Sequence, residues 1–236
     1  MSEFCIRDDN IAFLVATEFH NRVNANWFDP LYWGRNAAPV TSGGRGGAWF
    51  LTADSGDYVL REYRRGGLAS RLSLCTYAFA GEDQVRSFVE FRILTWLSTR
   101  GFPVPRPVAA YYLKLPGLRY QAAIIIERIS DAVPLADLIE TQTESDWCRL
   151  GQLVRRFHDA GVRHADLNCF NVLVRESEFF LIDFDKGRIM PSGGPSGWKN
   201  DNLKRFARSI KKIAGEQVLN SVWRTFEYGY NGSVAA

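Results

Sequence analysis

Cysteine is scarce in this 236-residue chain, with four residues in all, and histidine and methionine are scarcer still at three and two. Cys5, Cys75, Cys148 and Cys169 show no C-x-x-C spacing and no regular framework. That excludes the disulfide-scaffold class and fits reduced thiols inside a cell. Charge of one sign is not in excess either. Twenty-nine Lys and Arg against 26 Asp and Glu leave a net charge of +3, too small to imply a nucleic-acid partner. Long apolar runs are missing: a stretch such as 122–126 (AAIII) is far too short to span a bilayer. The N-terminus carries Glu3, Arg7, Asp8 and Asp9 where a secretory leader would need an apolar core. The chain is therefore expected in the cytoplasm, free or held at a membrane face. Internal repeats and low-complexity segments are absent as well.

What is present is the composition of a soluble globular protein, 46% hydrophobic and 23% charged, long enough for one domain or two small lobes. Its most informative stretch runs His164-Ala165-Asp166-Leu167-Asn168-Cys169-Phe170-Asn171, then Val172-Leu173-Val174 and, after a polar turn, Phe179-Phe180-Leu181-Ile182-Asp183-Phe184-Asp185. The two apolar runs flanking Arg175-Glu176-Ser177-Glu178 predict a hairpin whose ends bring Asn171 and Asp183 side by side. Asp166 is suited to accept the proton of an attacking hydroxyl, and Asn171 and Asp183 offer oxygens to Mg2+ ions that bridge triphosphate oxygens. His164 and Asp166 alone would read as a structural histidine and a turn former. The hairpin and the second Asp turn the reading toward phosphotransfer. Cys169, inside this loop, is expected to pack rather than react.

Upstream lies a glycine-rich stretch, with Gly43, Gly44, Gly46 and Gly47 around Arg45, before two strand-like runs over 48–53 and 57–63. Glycines there let backbone N–H groups approach phosphates closely, although glycine clusters also mark plain turns. Arg61 is a cation among the apolar residues of the second strand. The pattern over 83–100 predicts an amphipathic helix closed by Gly101 and carrying Glu90. Arg61 and Glu90 read either as an ion pair that aims the strand cation at nucleotide phosphates or as two unrelated surface charges. Pro103 to Pro107 makes a stiff connector. Strands over 108–113 and 120–126 lead into Glu127-Arg128-Ile129, a hinge at which adenine would bond backbone amides. A helix over 145–160, ending at Gly161, would deliver the catalytic loop. The aromatic group Trp27, Phe28, Tyr32 and Trp33 reads as cover for a core edge or as an exposed platform.

The order of glycine-rich loop, strand cation, helix Glu, hinge, H-x-D-x-x-x-x-N and I-D-F resembles the protein-kinase-like superfamily over most of the chain. Within it, 58–67 (YVLREYRRGG) and 163–168 (RHADLN) resemble the bacterial 3-deoxy-D-manno-octulosonic acid (Kdo) kinases, which belong with the lipopolysaccharide-core heptose kinases. The resemblance implies an α+β, two-lobed kinase-like fold, with residues 1–127 as a lobe built on an antiparallel sheet and one main helix, and 128–236 as a mainly helical lobe. It implies transfer of the ATP γ-phosphate to the 4-hydroxyl of a Kdo residue on a lipid A precursor, at the cytoplasmic face of the bacterial inner membrane. By position it gives Asp166 the role of base and Asn171 and Asp183 the metal. Gly43, Gly44, Gly46, Gly47, Arg61, Glu90, Glu127 and Ile129 fall to the nucleotide. The chain departs from the pattern at Arg61, where most such kinases have Lys, at Trp49 in the third glycine place, and at Asp185 where glycine is usual. Asp185 reads as a solvated turn residue or as a further metal ligand.

No A-P-E motif follows Asp185, and the stretch before the next helical pattern is short. A small molecule or glycolipid is thus favoured over a protein substrate, with a core heptose or an aminoglycoside as the alternative acceptors. Over 198–214, Leu203, Phe206, Ile210 and Ile213 keep helical spacing while Lys204, Arg205, Arg208, Lys211 and Lys212 project elsewhere. That pattern leaves open a peripheral contact with the anionic inner-membrane surface and a core-packed helix with a solvated basic face. Arg64, Arg65 and Arg71 form a second basic group that would suit acidic sugars or lipid phosphates.

Overall fold

In a computed structural model of the protein, residues 3–40, 47–63 and 76–232 are described. They fall into two compact units, one within Met1–Gly101 with Pro105–Ser130, the other Phe102–Val104 with Asp131–Ala236.

The first unit is an antiparallel sheet with one long helix. Its elements are β1 (Glu3–Asp8), β2 (Ile11–Ala16), a helical turn α1 (Pro30–Trp33), β3 (Ala37–Pro39), β4 (Ala48–Ala53), β5 (Gly56–Glu62), β6 (Tyr77–Ala78), α2 (Arg86–Ser98), β7 (Pro107–Leu115) and β8 (Arg119–Glu127). The strand order is β1-β2-β7-β8-β5-β4-β3, with β6 on the outer end of β8. The central position of β8 explains its composition. Ala122, Ala123, Ile124 and Ile125 are all buried, so a strand covered on both faces reads as a continuous apolar run rather than an alternation. α2 packs on β7 and β8 through Phe88, Phe91, Leu94 and Leu97, each contributing about 2 kcal/mol by burial.

α2 starts later than the sequence pattern implied. Residues Glu82–Gln84 form a tight turn and Val85 is extended (φ −65°, ψ 123°). The reason is Glu82, which accepts from Arg7 at 2.6 Å and from the Tyr112 hydroxyl at 3.0 Å and so ties this turn to β1 and β7. The aromatic group covers a core edge: Trp27 is buried, Trp33 Nε1 donates to the Trp27 carbonyl at 3.0 Å, and Phe28 stacks on Tyr111 at 5.1 Å. Tyr32 stays 55% exposed.

The second unit is mainly helical. It contains β9 (Val133–Pro134), α3 (Glu144–Asp159), β10 (Val162–Arg163), β11 (Val172–Arg175), β12 (Glu178–Leu181), β13 (Arg188–Ile189) and α4 (Gly197–Asn231). The small sheets are β12-β11-β9 and β10-β13. α3 begins at a capping box, in which Thr143 Oγ1 accepts the Asp146 N–H at 3.2 Å and Asp146 Oδ2 accepts the Thr143 N–H at 2.9 Å. It stops before Gly161, whose φ of +77° few other residues would tolerate.

α4 is broken at Gly215 (φ 89°, ψ 173°), so that 197–214 and 216–231 are separate helices packed along α3. The second of these meets α3 backbone to backbone. A Cβ on Gly229 would lie 1.9 Å from the Cys148 carbonyl oxygen, and one on Gly151 would lie 2.1 Å from the Phe226 carbonyl oxygen. Glycine is required at both positions because nothing else lets the helices approach so closely. Next to this contact His158 Nδ1 and the Tyr230 hydroxyl share a buried hydrogen bond of 2.7 Å.

Candidate active site

In the second unit the H-x-D-x-x-x-x-N loop is built around His164, which is 2% exposed. Its Nε2 lies 2.9 Å from the Ile182 carbonyl, and its Nδ1 accepts the Asp166 N–H at 3.2 Å. Those two partners demand a neutral ring with the proton on Nε2. Burial, the largest cause, pushes the His164 pKa down and keeps the ring neutral. His164 thus joins the start of the loop to the strand end that carries Asp183. Phe184, fully buried, packs on the same ring at 4.8 Å.

From the other side Asn202 of α4 clamps the His164 backbone, donating from Nδ2 to its carbonyl at 2.7 Å and accepting its N–H at 3.2 Å. A buried amide that satisfies both backbone groups of one residue fixes the loop without any charge. Two further amides pull the loop closed. Asn168 Nδ2 and Asn171 Nδ2 each donate to the Asp166 carbonyl at 2.9 Å. The bond from Asn171 uses its nitrogen end and leaves Oδ1 as the acceptor end. Ile182 N–H then bonds the Asn171 carbonyl at 3.0 Å, which registers the hairpin of β11 and β12 so that Asn171 and Asp183 stand at adjoining strand ends.

Asp166 itself has a side chain 56% exposed, with Oδ1 at 3.1 Å from Arg205 Nη1. Asp183 is a non-glycine residue at φ +63°, a cost of about 1 kcal/mol or more that persists only where surrounding structure enforces it. Its Oδ1 lies 3.4 Å from the Asp185 N–H. The oxygen donors of Asn171 and Asp183 are hard ligands of the kind that hold Mg2+ together with phosphate oxygens. No group of three or more His, Cys, Asp or Glu able to hold a metal occurs among the described residues. Cys169 packs as expected. It is fully buried, its N–H bonds Ser209 Oγ at 3.0 Å, and burial pushes its thiol pKa up to about 11.

The first unit brings together Arg61 and Glu90. Arg61 Nη2 lies 2.6 and 2.5 Å from the two carboxylate oxygens, and the Tyr63 hydroxyl also donates to Glu90. Glu90 is 1% exposed. Of the two readings left open by the sequence, the ion pair is the one formed. Gly47 adopts φ +96° and its carbonyl accepts the Glu62 N–H at 2.8 Å. Gly43, Gly44 and Gly46 lie outside the described residues, as do Arg64, Arg65 and Arg71. Glu127 ends β8 and donates its N–H to the Arg106 carbonyl, and Arg128 donates to that of Asp57. The N–H of half-buried Ile129, just beyond, makes no hydrogen bond among the described residues.

The basic stretch of α4 divides its residues between two tasks. Phe206 and Ile210 are buried, with Phe206 against Trp223 and Phe226, so the middle of the apolar stripe packs into the core, while Leu203 is half-buried and Ile213 is exposed. Lys211 pairs with Glu216 at 2.9 Å, while Lys204, Arg205, Arg208 and Lys212 are exposed. No helix among the described residues is long and apolar enough to cross a membrane. The contacts of Asn202 and Arg205 with the loop lay beyond sequence reasoning. They join residues 38 and 39 positions apart, with no local pattern to announce them.

The family model for the lipopolysaccharide kinase (Kdo/WaaP) family matches residues 31–230. A 3-deoxy-D-manno-octulosonic acid kinase of Stenotrophomonas maltophilia (strain K279a) is 44% identical over 218 residues, covering 91% of this chain and 86% of the relative. One from Xylella fastidiosa (strain M12) is 40% identical over 230 residues, covering 96% and 91%. Among solved structures, WaaP in complex with acyl carrier protein has a TM-score of 0.58 at 16% identity, over 93% of this chain and 88% of that one. At that identity the likeness concerns the fold, an α+β kinase-like architecture.

Proposed function

The chain belongs to the lipopolysaccharide kinase (Kdo/WaaP) family, and from that premise we propose that it transfers the ATP γ-phosphate to the 4-hydroxyl of a Kdo residue on a lipid A precursor. It is a phosphotransferase, and the observation that carries the reading is the loop in which His164, Asn168, Asn171 and Asn202 converge on the backbone around Asp166. That loop holds a carboxylate firmly while leaving it open to an incoming hydroxyl.

In this mechanism Asp166 orients the acceptor hydroxyl and takes its proton as the phosphoryl group is transferred. Asn171 Oδ1 and the Asp183 carboxylate would hold Mg2+, which when bound would neutralise charge on the triphosphate oxygens. Arg61, oriented by Glu90 and Tyr63, offers a planar, permanently charged fork to the phosphates where other kinases use a point charge. The Glu127 carbonyl and the Ile129 N–H, two residues apart, meet the adenine edge, and Gly47, the described residue of the glycine-rich stretch, is assigned to the phosphates. The enzyme works at the cytoplasmic face of the inner membrane as a peripheral protein, with Lys212 among the exposed basic side chains of α4 available to an anionic surface. A Kdo-bearing precursor is the partner, not a protein or a nucleic acid.

The test is transfer of labelled phosphate from ATP to a panel of acceptors. Kdo-bearing lipid A precursor should be labelled in a Mg2+-dependent reaction, and heptosylated core and aminoglycosides should not. Preferential labelling of either of the latter would overturn the acceptor assignment.

A further inference from the structure

We propose that a basic hollow beside Asp166 seats an anionic group of the acceptor, a carboxylate or phosphate carried by the same molecule as the hydroxyl that Asp166 serves. The proposal rests on the phosphotransferase reading above. The hollow, about 270 Å³, is lined by Arg163, Ala165, Asp201, Asn202, Lys204, Arg205 and Arg208. Four of these side chains are cations and one, Asp201, is a carboxylate.

The cations differ in their partners. Arg205 is already engaged with Asp166 at 3.1 Å. Arg163, Lys204 and Arg208 have no carboxylate partner among the described residues, although all three are exposed and close to one another. Lys204 and Arg208 stand one helical turn apart, a spacing at which like charges repel. Arg163 comes from a different element, β10, so a helix face alone does not account for the convergence. An oxyanion in the hollow would relieve that repulsion, and guanidinium groups bind carboxylate and phosphate through paired N–H donors.

The floor of the hollow is rigid. Asn202 is 4% exposed and bonded to both backbone groups of His164 at 2.7 and 3.2 Å. The same two bonds that hold the catalytic loop therefore fix the hollow relative to Asp166. Arg205 faces both: one guanidinium nitrogen contacts the carboxylate of Asp166, and the side chain lines the hollow. An anion seated there holds the acceptor beside Asp166 in ground and transition states alike, so its loss weakens acceptor binding rather than the chemical step.

The experiment uses the full chain with ATP and Mg2+ and the variants Arg163→Ala, Lys204→Ala, Arg208→Ala and Arg208→Lys. Each alanine variant should raise the acceptor KM on the order of tenfold, as expected for loss of a charge-assisted hydrogen bond, with kcat, the KM for ATP and the melting temperature unchanged. Arg208→Lys should recover part of the loss, the share owed to charge rather than to paired donors. Two altered acceptors identify the anion, one with the sugar carboxyl reduced to an alcohol and one lacking the lipid phosphates. On the acceptor missing the seated group, wild type and the variants should converge on one KM, at or above that of any single variant, because none of the three cations then has its partner.

Unchanged acceptor KM in all three alanine variants would overturn the proposal. So would a loss confined to acceptor in anionic vesicles and absent in neutral detergent micelles, which would assign these side chains to the membrane surface. Direct binding of the Kdo-bearing precursor without ATP separates the hollow from the catalytic reading. Weakened binding in the variants supports the hollow even where turnover is missing, and unchanged binding overturns it.

Discussion

The two units hold their key acidic side chains in opposite ways. In the first, Glu90 is 1% exposed and neutralised by Arg61 with a second donor from Tyr63. In the second, the Asp166 side chain is 56% exposed and pairs with the similarly accessible Arg205 at 3.1 Å, and the loop around it is fixed by neutral amide and imidazole groups acting on backbone atoms. A carboxylate whose task is to aim a cation gains from burial, because low dielectric strengthens a permanent pair. A carboxylate that must receive and release a proton has to stay accessible. Its loop is set by bonds to backbone atoms, and its ion pair with Arg205 stays open to solvent. On the mechanism proposed above, the buried charge is the static group and the exposed one, within a rigid frame, is the working one.

The frame of the second unit is where that contrast breaks with the largest effect. Gly229→Ala would force a methyl to 1.9 Å from the Cys148 carbonyl, a clash with backbone that no side-chain rotation relieves. We expect a loss of about 3 kcal/mol or more in denaturant unfolding, against a negligible change for alanine at exposed Gly197, where nothing lies within 4 Å.

Acid should follow. Burial lowers the His158 pKa from 6.5 to about 4, and His164 shifts in the same direction. The unfolded chain takes up these protons near the ordinary histidine value and the folded chain only at lower pH. Stability is therefore full above about pH 6.5 and is lost progressively as pH falls toward 4. For His158 the loss is on the order of 3 kcal/mol at most. Melting temperatures measured over this range should fall more steeply for wild type than for His158→Gln; parallel curves would contradict the assignment.

Glu90→Gln sharpens the comparison from the other side. It keeps the shape of the buried carboxylate and removes its charge. We expect a loss of about 2 kcal/mol in denaturant unfolding, less than for a fully buried pair because Arg61 retains contact with water, together with weaker nucleotide binding. A stability equal to wild type would mean that the pair is not what holds Arg61.

Much of this was legible in the sequence because it is local. The hairpin of β11 and β12 follows from β-branched and aromatic runs around a polar turn, and α3 follows from its capping residues and Gly161. The ion pair of Arg61 and Glu90 was one of two readings, since pattern cannot say whether two charges 29 positions apart meet. Strand β1 escaped notice because it is short and buries none of its residues; Phe4 and Ile6 alternate along it but stay exposed. The helix over 216–231 lay beyond a glycine that breaks the pattern, though Trp223, Phe226 and Tyr230 keep helical spacing within it. The hold of Asn202 on His164 and the pairing of Arg205 with Asp166 depend on how α4 packs, and no residue near the motif encodes that.

The most direct test is a pair of numbers for Asp166→Asn: nucleotide affinity and the single-turnover rate of phosphate transfer to Kdo-bearing lipid A precursor. The account predicts affinity close to wild type and a rate lower by at least about a hundredfold, the lower range for loss of a positioned base. A rate near that of wild type would contradict it.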